Sequence, residues 1–135
     1  MKNTAMKQLI LLLMISVFTI THAQKKENSI VGKWKGTDSR TENGGIEFMS
    51  DGSAKIMMMG QALPVNEYKV NKSKDPIWIT LLIKRNGQAM TLYGLMKFID
   101  ANTIKWEVFP MAQKQPSAFS ENAADTSVIL KRQKA

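Results

Sequence analysis

The chain has 135 residues, the length of one typical domain, and a formal charge of +8 at neutral pH. It has no cysteine, which excludes disulfides, cysteine nucleophiles and zinc sites built on thiolates. Its one histidine, His22, lies in an N-terminal segment that we expect to be removed, so histidine-based triads and imidazole metal sites are excluded as well.

The first 23 residues have the features of an export signal. Lys2 and Lys7 form a basic start, Leu9 to Phe18 an apolar core, and Thr21-His22-Ala23 a small-residue cleavage signal. The apolar run is shorter than the roughly 20 residues of a membrane-spanning helix. We therefore predict a signal peptide at 1–23, a mature domain at 24–135 without a stable membrane anchor, and a secreted or periplasmic protein. Export without cysteine is typical of a bacterium.

The positive charge of the predicted mature domain is scattered along its strands. Removing Lys2 and Lys7 leaves 17 of the 19 basic side chains against all 11 acidic ones, so the formal charge falls to +6. Lys33 and Lys35 alternate with apolar residues, which is typical of a solvated strand face and not of a nucleic-acid surface. We predict a monomer with no nucleic-acid partner.

Short strands separated by turns make up the rest of the chain. The predicted strands, in order, are Ile30–Asp38, Ile46–Phe48, Ala54–Met59, Leu63–Val70, Ile77–Lys84, Met90–Ile99, Ile104–Val108 and Thr126–Arg132. Asp51-Gly52 and Asn86-Gly87 are hairpin signals, and Gly94 indicates a bulge or bend. Eight antiparallel strands at this spacing predict an all-β, up-and-down barrel, with a two-sheet sandwich as the alternative.

Residue alternation predicts which side chains face the barrel interior. If Lys33 and Lys35 face solvent, Trp34 faces inward, and the same parity in the other strands gives an almost wholly apolar interior. The two longest connections, Asp38–Gly45 and Pro110–Asp125, fall at the same end of such a barrel. We expect them to form an open mouth, and the tight turns to close the opposite end.

Two short motifs carry a family resemblance. Ile30-Val31-Gly32-Lys33-Trp34, and Ile46-Glu47-Phe48 leading into Asp51-Gly52, resemble a small secreted bacterial lipocalin-like domain of the calycin type. The resemblance covers Ile30 to Arg132 and implies a lipocalin-like, eight-stranded antiparallel barrel. It also implies a closed end at Gly32 and Trp34, covered by a basic residue of the last strand. Arg132 has the right parity, and cation–π packing gives a physical reason for the pair.

Methionines and carboxylates offer little chemistry. Met57-Met58-Met59 could supply soft ligands for Cu(I), but consecutive strand residues face opposite sides, so core filling or a deformable lining is favoured. Glu107 has outward parity, as do the other strand glutamates, and no acid/base pair is indicated. We predict no catalytic residue, no metal site, no cofactor and no enzymatic activity.

The interior therefore predicts the function. The main hypothesis is a non-enzymatic barrel that binds a small apolar or amphipathic molecule. The predicted lining comprises Phe48, Met58, Tyr68, Leu81, Met90, Leu92, Met96 and Trp106. An eight-stranded barrel is just wide enough to hold one small ligand or to be filled by its own side chains. The alternative is a filled barrel that acts as a protein-interaction or inhibitor module, through an apolar patch of Phe109, Met111 and Phe119.

Overall fold

Nine antiparallel strands form a nearly closed barrel in the computed structural model, which describes residues 28–122 and 126–134. The strands are β1 (Gly32–Gly36), β2 (Gly45–Phe48), β3 (Ala54–Met58), β4 (Gln61–Val65), β5 (Glu67–Asn71), β6 (Ile77–Arg85), β7 (Gln88–Asp100), β8 (Thr103–Phe109) and β9 (Val128–Arg132). The predicted signal peptide and residues 123–125 of the predicted last loop lie outside the described residues.

The strand order is β4-β3-β2-β1-β9-β8-β7-β6-β5, so the first and last strands pair and only β4 and β5 are terminal in the sheet. The predicted all-β antiparallel barrel is confirmed, but its strand count of eight is wrong. The predicted strand Leu63–Val70 divides at Asn66, because β4 pairs with β3 whereas β5 pairs with β6. The Asn66 N–H donates to Leu82 O at 2.9 Å, and the Asn66 side-chain oxygen accepts from the Lys84 N–H at 2.8 Å.

The barrel interior is filled by apolar side chains over most of its depth. The most deeply buried of these inward residues are Trp34, Ile46, Phe48, Ile79, Leu81, Met96, Ile104 and Leu130. Phe48 makes edge-on contacts with Tyr68 and Trp106, at ring-centroid distances of 4.9 and 6.0 Å. Interlocked aromatic rings of this kind leave little empty space, so the half of the barrel around Phe48 is a packed core.

Gly94 serves a purpose other than the predicted bulge. Its pairing with Ile79 and Val108 is regular, and the register shift in β7 lies further along, between Phe98 and Asp100. A Cβ on Gly94 would stand 2.7 Å from Cη2 of Trp106. Glycine is therefore required here because the indole lies directly against the backbone of the neighbouring strand.

Arg132 closes the end of the barrel at which β1 begins. Its guanidinium carbon lies 4.2 Å from the centre of the Trp34 ring. The same group donates to Val31 O at 2.7 Å, to Ser29 O at 2.5 Å and to Ala101 O at 3.2 Å. One side chain thus ties the start of β1, the β7–β8 turn and β9 together, through the rigid fork of donors that arginine provides.

Trp34 and Gly32 complete this closed end. The Trp34 indole N–H donates to Ile30 O at 2.8 Å, and its ring meets Phe98 edge-on at 6.1 Å. Gly32 has a φ of +136°, and a Cβ there would approach the Arg132 guanidinium at 3.0 Å. Glycine both adopts this backbone conformation and leaves room for the guanidinium.

Residues 110–122, which we call the outer strap, cross the outer face of β7 and β8. Glu107 points outward, as its parity predicts, but only 2% of it is exposed. Leu95, which pairs with it on the same outer face, is also fully buried. The Glu107 carboxylate accepts hydrogen bonds from the Ser120 N–H, at 3.0 Å, and from the Ser120 hydroxyl. The predicted outward parity of Glu107 is confirmed, but the strap covers this face and shields the carboxylate from solvent.

Two more contacts hold the outer strap. The Gln115 amide donates to Gly94 O at 3.2 Å, and the Lys105 ammonium lies 4.4 Å from the centre of the Phe119 ring. Most of the segment expected at the mouth thus turns back along the outside of the barrel, and Thr126, beyond the gap, is the residue that reaches the open end.

Replacing Arg132 tests the closed end. We expect Arg132→Gln to lower the free energy of unfolding by about 1–3 kcal/mol, because three carbonyls lose a charged donor and Trp34 loses its cover. Arg132→Lys should recover only part of this, since an ammonium cannot reproduce the fork. Urea unfolding followed by tryptophan fluorescence measures both. Lys131→Gln, at the exposed neighbouring position, is the control, and an equal effect there would contradict the assignment.

Replacing Gly94 tests the contact with Trp106. Gly94→Ala should cost about 1–3 kcal/mol of unfolding free energy, because the new methyl group overlaps the indole. In a Trp106→Phe background the cost should be smaller, because the overlapping indole atoms are absent. A cost that is the same in both backgrounds would show that the strain comes from the backbone and not from Trp106.

Candidate functional site

A pocket of about 610 Å³ opens at the end of the barrel opposite Trp34. We call it the mouth pocket. Its apolar lining consists of Ile56, Met57, Met58, Met59, Trp106, Val108, Val128 and Leu130. Its polar lining consists of Arg40, Thr41, Asn43 and Thr126, with the backbone of Gly44 and Gly45. The pocket therefore has apolar walls and a polar rim, the arrangement usual for small-molecule sites.

Trp106 forms part of the floor of the mouth pocket. It is 5% exposed, and its ring packs between the Gly94 backbone and the edge of Phe48. Ile56 and Leu130, both buried, reach the pocket from β3 and β9. The packed core thus ends at Trp106, and the open volume lies above it.

The loop between β1 and β2 forms one side of the rim and is internally bonded. Asp38 Oδ1 accepts from the N–H of Arg40 at 2.9 Å, and from the N–H and hydroxyl of Thr41, each at 3.0 Å. The hydrogen bond from the Thr41 hydroxyl is the largest cause that lowers the pKa of Asp38. Asn43 O accepts from the Gly60 N–H at 3.3 Å, so the loop also docks on the β3–β4 turn.

The eight predicted lining residues occupy three different depths. Met58 and Trp106 line the mouth pocket. Phe48, Leu81, Leu92 and Met96 are buried in the barrel. Met90, expected inside, is half exposed, because its strand position lies beyond the depth at which the barrel is packed.

Tyr68 belongs to the closed half of the barrel and not to the mouth. Its hydroxyl donates to Met49 O at 2.9 Å, and its N–H donates to Gly52 O at 2.9 Å. Partial burial, followed by the nearby charge of Asp51, raises its pKa. The side chain thus fixes the β2–β3 turn against β5.

The predicted lining omitted residues that do face the pocket. Val108, Val128 and Leu130 have the inward parity that the alternation predicts, but parity does not give depth along the barrel axis. The pairing register supplies it: Trp106 faces Val128 across β8 and β9, so these strands reach the mouth together.

Other chemistry is sparse in this structure. Across the described part of the chain, no three acidic side chains come together as ligands for a metal ion. A three-sulfur Cu(I) site would need the thioethers of Met58, Met90 and Met96 to converge, but Met58 and Met90 are at least half exposed whereas Met96 is fully buried. Within residues 28–122 and 126–134, no helix is long and apolar enough to cross a membrane.

The expected outer apolar patch is only partly exposed. Phe109 and Phe119 are half-buried, and the Lys105 ammonium lies over the Phe119 ring, whereas Met111 is almost fully exposed. Of the three residues, Met111 alone presents its whole side chain to solvent.

Comparison of the chain with protein-family models finds no match, and searches among curated proteins and among solved structures find none either. The barrel itself, all-antiparallel and nearly closed, is compatible with a calycin-like fold.

Proposed function

We propose that this chain is an exported, lipocalin-like, non-enzymatic binding protein that holds one small apolar or amphipathic molecule in the mouth pocket. The observation that carries the proposal is an open volume of about 610 Å³ with apolar walls above the Trp106 floor. Sites for small ligands commonly have volumes of roughly 300–1,000 Å³. A guest of this size is therefore accommodated without unpacking the core.

The physical driving force is burial of apolar surface. Removing it from water contributes about 25 cal/mol per Å², and the flexible side chains of Met58 and Met59 at the wall adapt to guests of different shape. The polar groups of the rim, Arg40 and Asn43 among them, suit a guest whose outer end is polar. This combination favours an amphipathic molecule over a purely hydrocarbon one.

A charged residue in the mouth tests the proposal. We expect Val128→Arg to weaken binding of a neutral apolar dye such as Nile red at least about tenfold, because the guanidinium would be desolvated by the guest. Ile129→Arg is the matched control, since Ile129 is the next residue and faces outward. Fluorescence titration of both variants, with thermal melts to verify folding, gives the comparison.

Two results would overturn the proposed site. An equal loss of Nile red affinity in the two variants would indicate that the dye binds outside the mouth pocket. Absence of dye binding by the native protein would instead favour a filled barrel that acts through its surface on a protein partner.

A further inference from the structure

The barrel wall is open at one place beside the mouth. β5 pairs with β6 only up to Leu82, whereas β6 continues to Arg85 with β7 as its single partner. β4 pairs with β3 alone, so its other edge faces the end of β6. The Asn66 bridge to Leu82 and Lys84 marks the lower limit of this opening.

A second pocket of about 610 Å³ occupies this opening, which we call the lateral slot. Leu63 and Ile83 line it from the inner face of the sheet, and Ala62 and Lys84 line it from the outer face. Residues of both faces therefore border the slot, which lies along the unpaired edges of β4 and β6.

The charged side chains that line the slot are all positive. Lys84 and Arg85 line it together with apolar residues, and no carboxylate is among its lining residues. Among the residues that the structure describes, neither cation forms an ion pair. Alternation places Lys84 outward and Arg85 inward, so the two charges flank the passage.

The β3–β4 turn that borders the slot has an unusual residue. Met59 has a φ of 51° and Gly60 a φ of 76°, nearly the values of Asn86 and Gly87 in the β6–β7 turn. Asparagine is preferred at this left-handed position, whereas Met59 is strained there and 94% exposed. Strained, exposed apolar residues cluster at functional sites.

We propose that the lateral slot, which adjoins the mouth pocket at Met58 and Met59, binds a single-chain amphipathic anion. The anionic head is bound by Lys84 and Arg85, and the chain enters between Leu63 and Ile83, with Met59 covering it. The apolar walls select for a chain, and the unpaired cations select against a neutral or cationic head. The guanidinium binds a carboxylate through two parallel hydrogen bonds.

Decanoate is the probe, with 1-decanol as the neutral molecule of the same chain length. We expect Lys84→Gln/Arg85→Gln to weaken decanoate binding at least about tenfold in calorimetric titration, and to leave 1-decanol binding within about twofold. Lys33→Gln/Lys35→Gln removes the same charge from the exposed face of β1 and is the control. The difference between the two double variants should shrink as salt is added.

A second variant tests the path of the chain. Ala62 is exposed and lines the slot but not the mouth pocket, so Ala62→Trp should block decanoate and leave Nile red binding unchanged. The slot is overturned if native protein does not bind decanoate, or if both double variants bind it equally. It is also overturned if Val128→Arg, and not Lys84→Gln/Arg85→Gln, abolishes decanoate binding, because the anion would then occupy the mouth. If the native protein binds decanoate but not Nile red, only the proposed mouth pocket is contradicted.

Discussion

The packing of Trp106 against Gly94 determines which part of the barrel is solid and which is open. The indole reaches the backbone of β7 because Gly94 has no side chain, and its edge contact with Phe48 joins it to the packed core. On the Trp34 side of this contact, the buried side chains of Trp34, Ile46 and Ile104 belong to the packed core. The mouth pocket begins on the other side, and the strands that continue past Trp106 supply its walls. A binding function for this fold therefore depends on the last strand positions, and not on the centre of the barrel.

Closure of the sheet is the second constraint, and it is incomplete. A closed barrel has no free strand edges, which otherwise expose unpaired backbone groups. Here one extended segment pairs first with β3, as β4, and then with β6, as β5. Asn66 lies at the corner between β4 and β5. Above this corner β4 and β6 separate, which leaves the lateral slot between them. At the opposite end Arg132 links neighbouring parts of the chain as backbone pairing would, because it donates hydrogen bonds to three carbonyls from two segments.

The sequence predicts most of the fold because period-2 alternation and turn residues are local signals. The barrel and its strands follow from them, whereas the approach of Arg132 to Trp34 follows from the family resemblance together with the parity of Arg132. The features that the sequence does not predict depend on contacts between distant segments. Glu107 has outward parity, but the outer strap covers it. Leu63–Val70 has the pattern of one strand, but its first half pairs with β3 and its second half with β6. Depth along the barrel axis is equally non-local. Alternation places Phe48 and Leu81 in the lining of a cavity, whereas the structure places them in the packed core.

Methyl NMR, with Nile red added to the native protein, tests the central claim most directly, because methyl groups report from every region. Val108 and Val128 line the mouth pocket and not the lateral slot, Met96 lies in the packed core, and Met111 is exposed on the outer strap. We predict that the methyl signals of Val108 and Val128 shift while those of Met96 and Met111 do not. A dominant shift at Met96 would place the guest inside the closed half, and a shift at Met111 alone would place it on the outer surface; either result would contradict the account.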